Sequence, residues 1–171
     1  MKKKLADISG LDYEYTIIGT GPAGISVALG LSKNGKKVLL LEGGGYEYTE
    51  KSQSVYDGKV VGNSHYDIKA SRLRYFGGSS NHWSGKCRPL DDVDLKKFPI
   101  SKKDLDAYLK EASNILEIDG KFNKDRSVNR EFKQIEFQFS QVGNGSGYRP
   151  PVSFNEKYKK DIEQSSHIDL I

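Results

Sequence analysis

Residues 13–43 constrain this chain more than any other stretch: an apolar run, a glycine turn, an amphipathic run and a second apolar run that ends on an acid. Tyr15, Thr16, Ile17 and Ile18 are β-formers that lead straight into Gly19-Thr20-Gly21-Pro22-Ala23-Gly24, as a buried parallel strand would. Ile25, Val27, Ala28, Leu29 and Leu31 then give an apolar, small-residue helix face, and Asn34-Gly35 is a helix stop signal. Val38 to Leu41 read as a second strand, apolar throughout because helices should cover both of its faces. Strand, turn, helix and strand in that order predict a βαβ unit, hence an α/β fold.

The turn carries a chemistry. A pyrophosphate can approach a backbone only where side chains are absent, and the unpaired amides and positive dipole end of the following helix stabilise its charge. Gly19, Gly21 and Gly24 supply the bare backbone, with Thr20, Pro22 and Ala23 between them. Glu42, eighteen residues after Gly24, is placed to accept hydrogen bonds from ribose hydroxyls, and its charge would repel a 2′-phosphate. The glycine pattern alone occurs by chance in many loops, and an ordinary βαβ unit with a tight turn shares it. Its context between strand and helix, with an acid closing the next strand, points to the ADP half of a dinucleotide.

Composition bounds the remainder. A chain of 171 residues can form a real core, although 36% hydrophobic and 29% charged residues make its surface very polar. The net charge of +4 is spread over pairs such as Lys36-Lys37, Lys96-Lys97, Lys102-Lys103 and Lys159-Lys160 with acids nearby. That pattern describes solvated faces, not a nucleic-acid footprint, which needs basic residues gathered on one surface. No run approaches membrane-spanning length. Lys2 to Lys4 precede Leu5-Ala6-Asp7-Ile8-Ser9-Gly10, which is no apolar signal core, so a cytoplasmic location is expected. The one cysteine, Cys87, excludes an internal disulfide, and histidines scattered at 65, 82 and 167 suggest no metal site.

Past Glu42 the chain runs through Gly43-Gly44-Gly45-Tyr46 and leaves the sheet in a polar excursion to residue 70. A second glycine stretch follows, Arg72-Leu73-Arg74-Tyr75-Phe76-Gly77-Gly78-Ser79-Ser80-Asn81-His82-Trp83-Ser84-Gly85. Adjacent glycines before two serines offer close backbone approach, free amides and a helix N-cap. Asn81, His82 and Trp83 add groups suited to a planar ring system. Taken alone, the stretch reads as a glycine turn with Trp83 anchoring a core.

Together, GTGPAG between two strands, LEGGG and RYFGGSSNHWSGKCRPLDDVDL resemble the N-terminal part of the glucose–methanol–choline (GMC) oxidoreductases, FAD-dependent enzymes that oxidise alcohols and sugars. The resemblance spans most of residues 13–110 and continues more faintly to the end. It implies a Rossmann-like FAD-binding domain, with Gly19 to Gly24 on the pyrophosphate, Glu42 at the adenosine ribose, and Gly43 also among the cofactor-binding residues. It further implies that Arg74, Gly77, Gly78, Ser79 and Asn81 lie in a loop beside the isoalloxazine. Ser80-Asn81-His82-Trp83 is similar to the Ser-Thr-His-Trp of the pyranose 2-oxidases, which implies a covalent flavin link through His82.

Beyond this, Ser101 caps a helix with Asp104 in its first turn, carrying Leu105, Tyr108, Leu109, Ala112, Ile115 and Leu116 on one face. Residues 119–134 read as polar loop, Ile135–Phe139 as a half-buried strand, and Gly143 to Gly147 with Pro150-Pro151 as a further loop. Phe154–Gln164 reads as a short helix, and His167–Ile171 as the start of a strand. The expected organisation is an N-terminal tail at 1–12 and, over 13–171, the first portion of an FAD domain, incomplete at its C-terminus and truncated before a substrate domain. The family's catalytic histidine has no counterpart here, so catalytic residues are expected in a C-terminal part or partner chain. Two functions remain open: the cofactor half of an alcohol or sugar oxidoreductase with an unassigned electron acceptor, or a non-catalytic dinucleotide-binding module or assembly fragment. An NAD-binding reductase domain would not need the second glycine loop.

Overall fold

Four β-forming residues make strand β1 (Tyr15–Ile18), and Gly19, at φ +96°, then turns the chain into helix α1 (Pro22–Lys33). Pro22 suits the first helical position, where its fixed φ is pre-set and its missing N–H has no intrahelical acceptor to lose. The helix stops at Asn34, whose side-chain amide donates to the Gly30 carbonyl at 2.8 Å, and Gly35 takes φ +72°.

The computed structural model describes residues 3–63, 66–90, 92–118, 123–127, 135–141 and 151–171. After α1 come β2 (Val38–Leu41), α2 (Glu50–Gln53), α3 (Ile68–Ser71), β3 (Lys86–Cys87), α4 (Asp92–Leu95), α5 (Lys102–Asp106), α6 (Leu109–Leu116), β4 (Asn123–Ser127), β5 (Ile135–Gln141), α7 (Phe154–Gln164) and β6 (Ile168–Leu170). The chain divides into two compact units, Met1–His82 with Ser153–Ile171, and Trp83–Val152.

The first unit is α/β, with a parallel sheet in the order β1-β2-β6. Tyr15 pairs with Val38 and Ile18 with Leu41, while Val38 pairs with Ile168 and Leu40 with Leu170. Strand alternation puts Val38, Leu40, Ile168 and Leu170 on one face, where α1 brings Ile25 and Ala28 and α7 brings Phe154 and Ile162, all buried. That layer is the core. The opposite face is less covered: Leu39 and Leu41 are half-buried and Ile18 is 86% exposed.

This departs from the sequence expectation of two covered faces. Among the described residues no strand pairs with the outer edge of β1, so its β-formers lie at the border of the sheet and not in its centre. Apolar composition reports what a strand is suited to, while burial depends on which neighbours arrive.

The outer edge of β6 is tied to the N-terminal segment. The Lys3 amide donates to the Leu170 carbonyl at 2.7 Å, the Lys3 ammonium meets Asp169 at 2.7 Å, and the Tyr13 hydroxyl donates to Asp169 at 2.7 Å. Burial, reinforced by that hydrogen bond, pushes the Tyr13 hydroxyl up to about 12. Burial alone would raise the Asp169 carboxyl, but the hydrogen bonds from Lys3 and Tyr13 outweigh it and hold the group below its usual range. A carboxyl depressed in the folded state stabilises the fold above its unfolded pKa, about 3.9, and stops doing so as pH falls through the folded value. Thermal melts between about pH 6 and 3 should therefore lose stability in acid more steeply for the native chain than for Asp169→Asn. Parallel slopes would show that this cluster carries no linkage.

In the second unit β3, β5 and β4 form an antiparallel sheet in that order, with Lys86 opposite Gln141 and Asn123 opposite Phe139. β5 lies where Ile135–Phe139 predicts a strand. β4 lies in a stretch that reads as polar loop, because its register with β5 is held by backbone pairing, which polar residues make as well as apolar ones. Ser101 and Asp104 do form the capping box, and the Ser101 hydroxyl and amide hold the Asp104 carboxyl low. The single helix expected after it is two, α5 and α6. The Tyr108 amide bonds three residues back to Leu105, which closes the first helix before the second begins. The expected loop at Gly143 to Gly147 and Pro150 lies outside the described residues.

Candidate functional site

The carboxyl ends of β1 and β2 lie side by side, and the turn after each meets the other. The Gly19 amide donates to the Leu41 carbonyl at 2.7 Å, which carries the pairing one step past the strands. From there Thr20 turns inward, fully buried, and Gly21 caps α1 in an extended conformation. The amides of Ala23 and Gly24 lie in the first turn of the helix, where no intrahelical acceptor exists. Lacking a side chain serves a different purpose at each glycine. A Cβ on Gly24 would strike the Gly19 carbonyl oxygen, so Gly24 is what lets α1 start against β1. A Cβ on Gly21 would meet no protein atom within 4 Å, so its bareness is needed by nothing in the protein.

Glu42 stands at the end of β2 as expected, but its carboxylate is already engaged. Oε2 accepts from the Thr20 amide at 3.0 Å and the Thr20 hydroxyl at 2.5 Å, and Oε1 accepts from the Gly44 amide at 2.8 Å. The acid thus straps the first glycine turn to the Gly43-Gly44 turn. Arg74 lies over the latter, donating to the Gly43 carbonyl at 2.5 Å and to Ser52 Oγ at 3.1 Å. A side chain on Gly43 would collide with that guanidinium, and one on Gly44 with the Arg74 carbonyl.

The second glycine loop is bonded to the first. The Gly77 amide donates to the Thr20 carbonyl at 3.0 Å, and a Cβ on Gly78 would lie 3.2 Å from the Gly21 Cα. Gly77 and Gly78 both take positive φ, +90° and +54°, which explains their identity in backbone terms. Ser79, Ser80 and Asn81 follow in a tight 3-10 turn, and their side chains turn toward the protein. Ser79 Oγ accepts from the Leu73 amide at 3.3 Å. Ser80 Oγ donates to the Gly77 carbonyl at 2.7 Å and accepts from the Phe154 amide at 3.1 Å. The Asn81 amide donates to the carbonyls of Phe76 and Gly78, and its oxygen accepts from the Ser153 hydroxyl at 2.8 Å. These bonds dock the loop on the start of α7. His82 closes the turn and is exposed.

The site residues read from the sequence lie together: Gly19 to Gly24, Glu42, Gly43, Arg74, Gly77, Gly78, Ser79, Asn81 and His82 belong to one unit and one linked set of turns. Trp83 belongs to the second unit, where its indole N–H donates to the Val152 carbonyl at 2.9 Å. Two contributors have no signature in the sequence. Gln53, 1% exposed, donates to the carbonyls of Lys69 and Arg72 and accepts from the Arg74 amide at 3.1 Å, and so holds the approach to the second loop. Ser52 donates to the Arg74 carbonyl at 2.7 Å. Both sit in a polar excursion without periodicity, where nothing distinguishes a buried amide from a solvated one.

Elsewhere, burial pushes the Cys87 thiol up, which lowers its thiolate fraction and its reactivity. Among the described residues no group of three or more His, Cys, Asp or Glu could hold a metal, and no helix is long and apolar enough to cross a membrane. No protein-family model matches the chain.

Proposed function

We propose that this chain binds the ADP part of FAD in a Rossmann-like unit, and that it forms the cofactor-binding portion of a flavin-dependent oxidoreductase acting on the CH–OH group of alcohols or sugars. One observation carries the reading. The turn that opens α1 has a glycine, Gly21, whose missing side chain leaves open space beside the first-turn amides, with Glu42 at the neighbouring strand end. A pyrophosphate fits that space and that dipole, and a ribose extends toward the acid. The second glycine loop, stitched to Thr20, supports FAD over a shorter dinucleotide fragment, because it adds backbone beyond the phosphate turn. Bound FAD supplies a hydride acceptor; the chain's own residues bind and orient it.

A second reading, a dinucleotide-binding module without catalysis, is favoured by the serine and asparagine side chains of the second loop, which are spent on internal hydrogen bonds.

Calorimetric titration with FAD, ADP and NADP tests the binding. FAD and ADP should bind saturably and NADP weakly, since Glu42 would face its 2′-phosphate; no binding of ADP overturns the proposal. Reduction of an artificial electron acceptor by a panel of alcohols and sugars separates enzyme from module. The resemblance at His82 has its own check in a full-length oxidoreductase that carries this chain as its cofactor half, acid precipitation followed by peptide mass spectrometry. Flavin should stay on the His82 peptide; flavin found only in the supernatant removes the covalent link and leaves the FAD reading standing.

A further inference from the structure

We infer that Glu42 reads a single ribose hydroxyl, through Oε1, because Thr20 commits the other carboxylate oxygen to the protein; this rests on the ADP-binding reading above. An ionised carboxylate offers about four acceptor sites, two on each oxygen. Thr20 fills both on Oε2, with its amide at 3.0 Å and its hydroxyl at 2.5 Å. The Gly44 amide, at 2.8 Å, fills one on Oε1. About one site remains, on Oε1.

The donors that fill the others are not free to leave. Thr20 is fully buried, so its hydroxyl has no water to turn to, and its β-branch restricts the side-chain torsion that aims it. The Thr20 carbonyl is itself held by the Gly77 amide at 3.0 Å. Gly44 is fixed by the Arg74 backbone that lies against it. A ribose carries two neighbouring hydroxyls, and an unencumbered carboxylate could take one on each oxygen. Here the second hydroxyl finds its oxygen saturated. Thr20 is thus a positioning residue: it does not touch the nucleotide through its side chain but decides how many hydroxyls Glu42 can accept.

The test is calorimetric titration of the chain with ADP, 2′-deoxy-ADP and 3′-deoxy-ADP. One deoxy analogue should bind about tenfold or more weaker than ADP, the loss of one hydrogen bond to a charged acceptor, while the other stays within about twofold. Thr20→Ala deletes the hydroxyl and leaves no atom in its place beside Oε2, which opens a site there, so the gap between the two analogues should narrow to about threefold or less. Thr20→Ser keeps the donor and should restore the gap. Equal weakening of both analogues in the native chain overturns the inference, as does a Thr20→Ala variant that binds ADP and keeps the full gap. Two analogues that both match ADP would remove Glu42 from the ribose altogether, and failure of ADP to bind would instead remove the reading on which the inference stands.

Discussion

Gly21→Val should abolish measurable binding of ADP and FAD while leaving the fold intact. The separation of the two effects follows from geometry. A Cβ at this position meets nothing within 4 Å, and the backbone is extended at φ −69° and ψ 177°, a conformation valine adopts without strain. The new Cβ therefore meets no protein atom. A pyrophosphate seated on the first-turn amides would meet the new side chain directly. Losing two charge-assisted hydrogen bonds costs about 3–6 kcal/mol, a rise in Kd of a hundredfold or more on the ~1.4 kcal/mol per tenfold scale. Circular dichroism and the thermal melt should match those of the native chain. Native-like affinity in a folded Gly21→Val protein would mean that the ligand, if any, sits elsewhere.

How much of this was legible in the sequence differs by element. Local chemistry could be read directly: Gly19, Gly35, Gly77 and Gly78 take the positive φ that only glycine tolerates well, and Ser101 with Asp104 closes the capping box. The helix Phe154–Gln164 was readable because Phe154, Tyr158 and Ile162 recur at four-residue spacing and all three are buried. What the sequence could not carry was partnership. Nothing in Tyr15–Ile18 tells an edge strand from a central one, since that depends on what pairs with its far side. The allocation of Glu42 was hidden for the same reason. Its type and spacing announce an acceptor at the strand end, but the donors that fill it come from Thr20, 22 residues away, and from a backbone amide that has no sequence signature. Ser80 and Asn81 show the same thing from the other side: they are polar residues beside a glycine loop, and their bonds to Phe154 and Ser153 at the start of α7 have no signature in the sequence. A side chain's chemistry is written in its identity, but its vacancy is decided by neighbours folded onto it.

The neighbouring glycine should behave in the opposite way. Gly24→Ala adds one methyl group, and on an exposed helix position that change stabilises by up to about 1 kcal/mol through propensity. At residue 24 the methyl would strike the Gly19 carbonyl oxygen, with the Gly19 carbonyl carbon 3.1 Å and Ile17 Cγ2 3.5 Å away. The obstacle is backbone, and it is fixed: the Gly19 carbonyl shares its peptide plane with the Thr20 amide, which is bonded to the Glu42 carboxylate at 3.0 Å, so the carbonyl cannot swing aside without breaking that bond. The remaining relief is for α1 to lift from the sheet, which uncovers Ile25 and Ala28 in the core. Overpacking of this kind costs about 3 kcal/mol, well above the propensity gain, and about 6–12 °C in Tm for a chain of this size. Thermal denaturation of Gly24→Ala beside Gly21→Val measures both at once. A Gly24→Ala melt equal to or above that of the native chain would show that α1 does not press on the glycine turn, and the division of labour between the two glycines would fall with it.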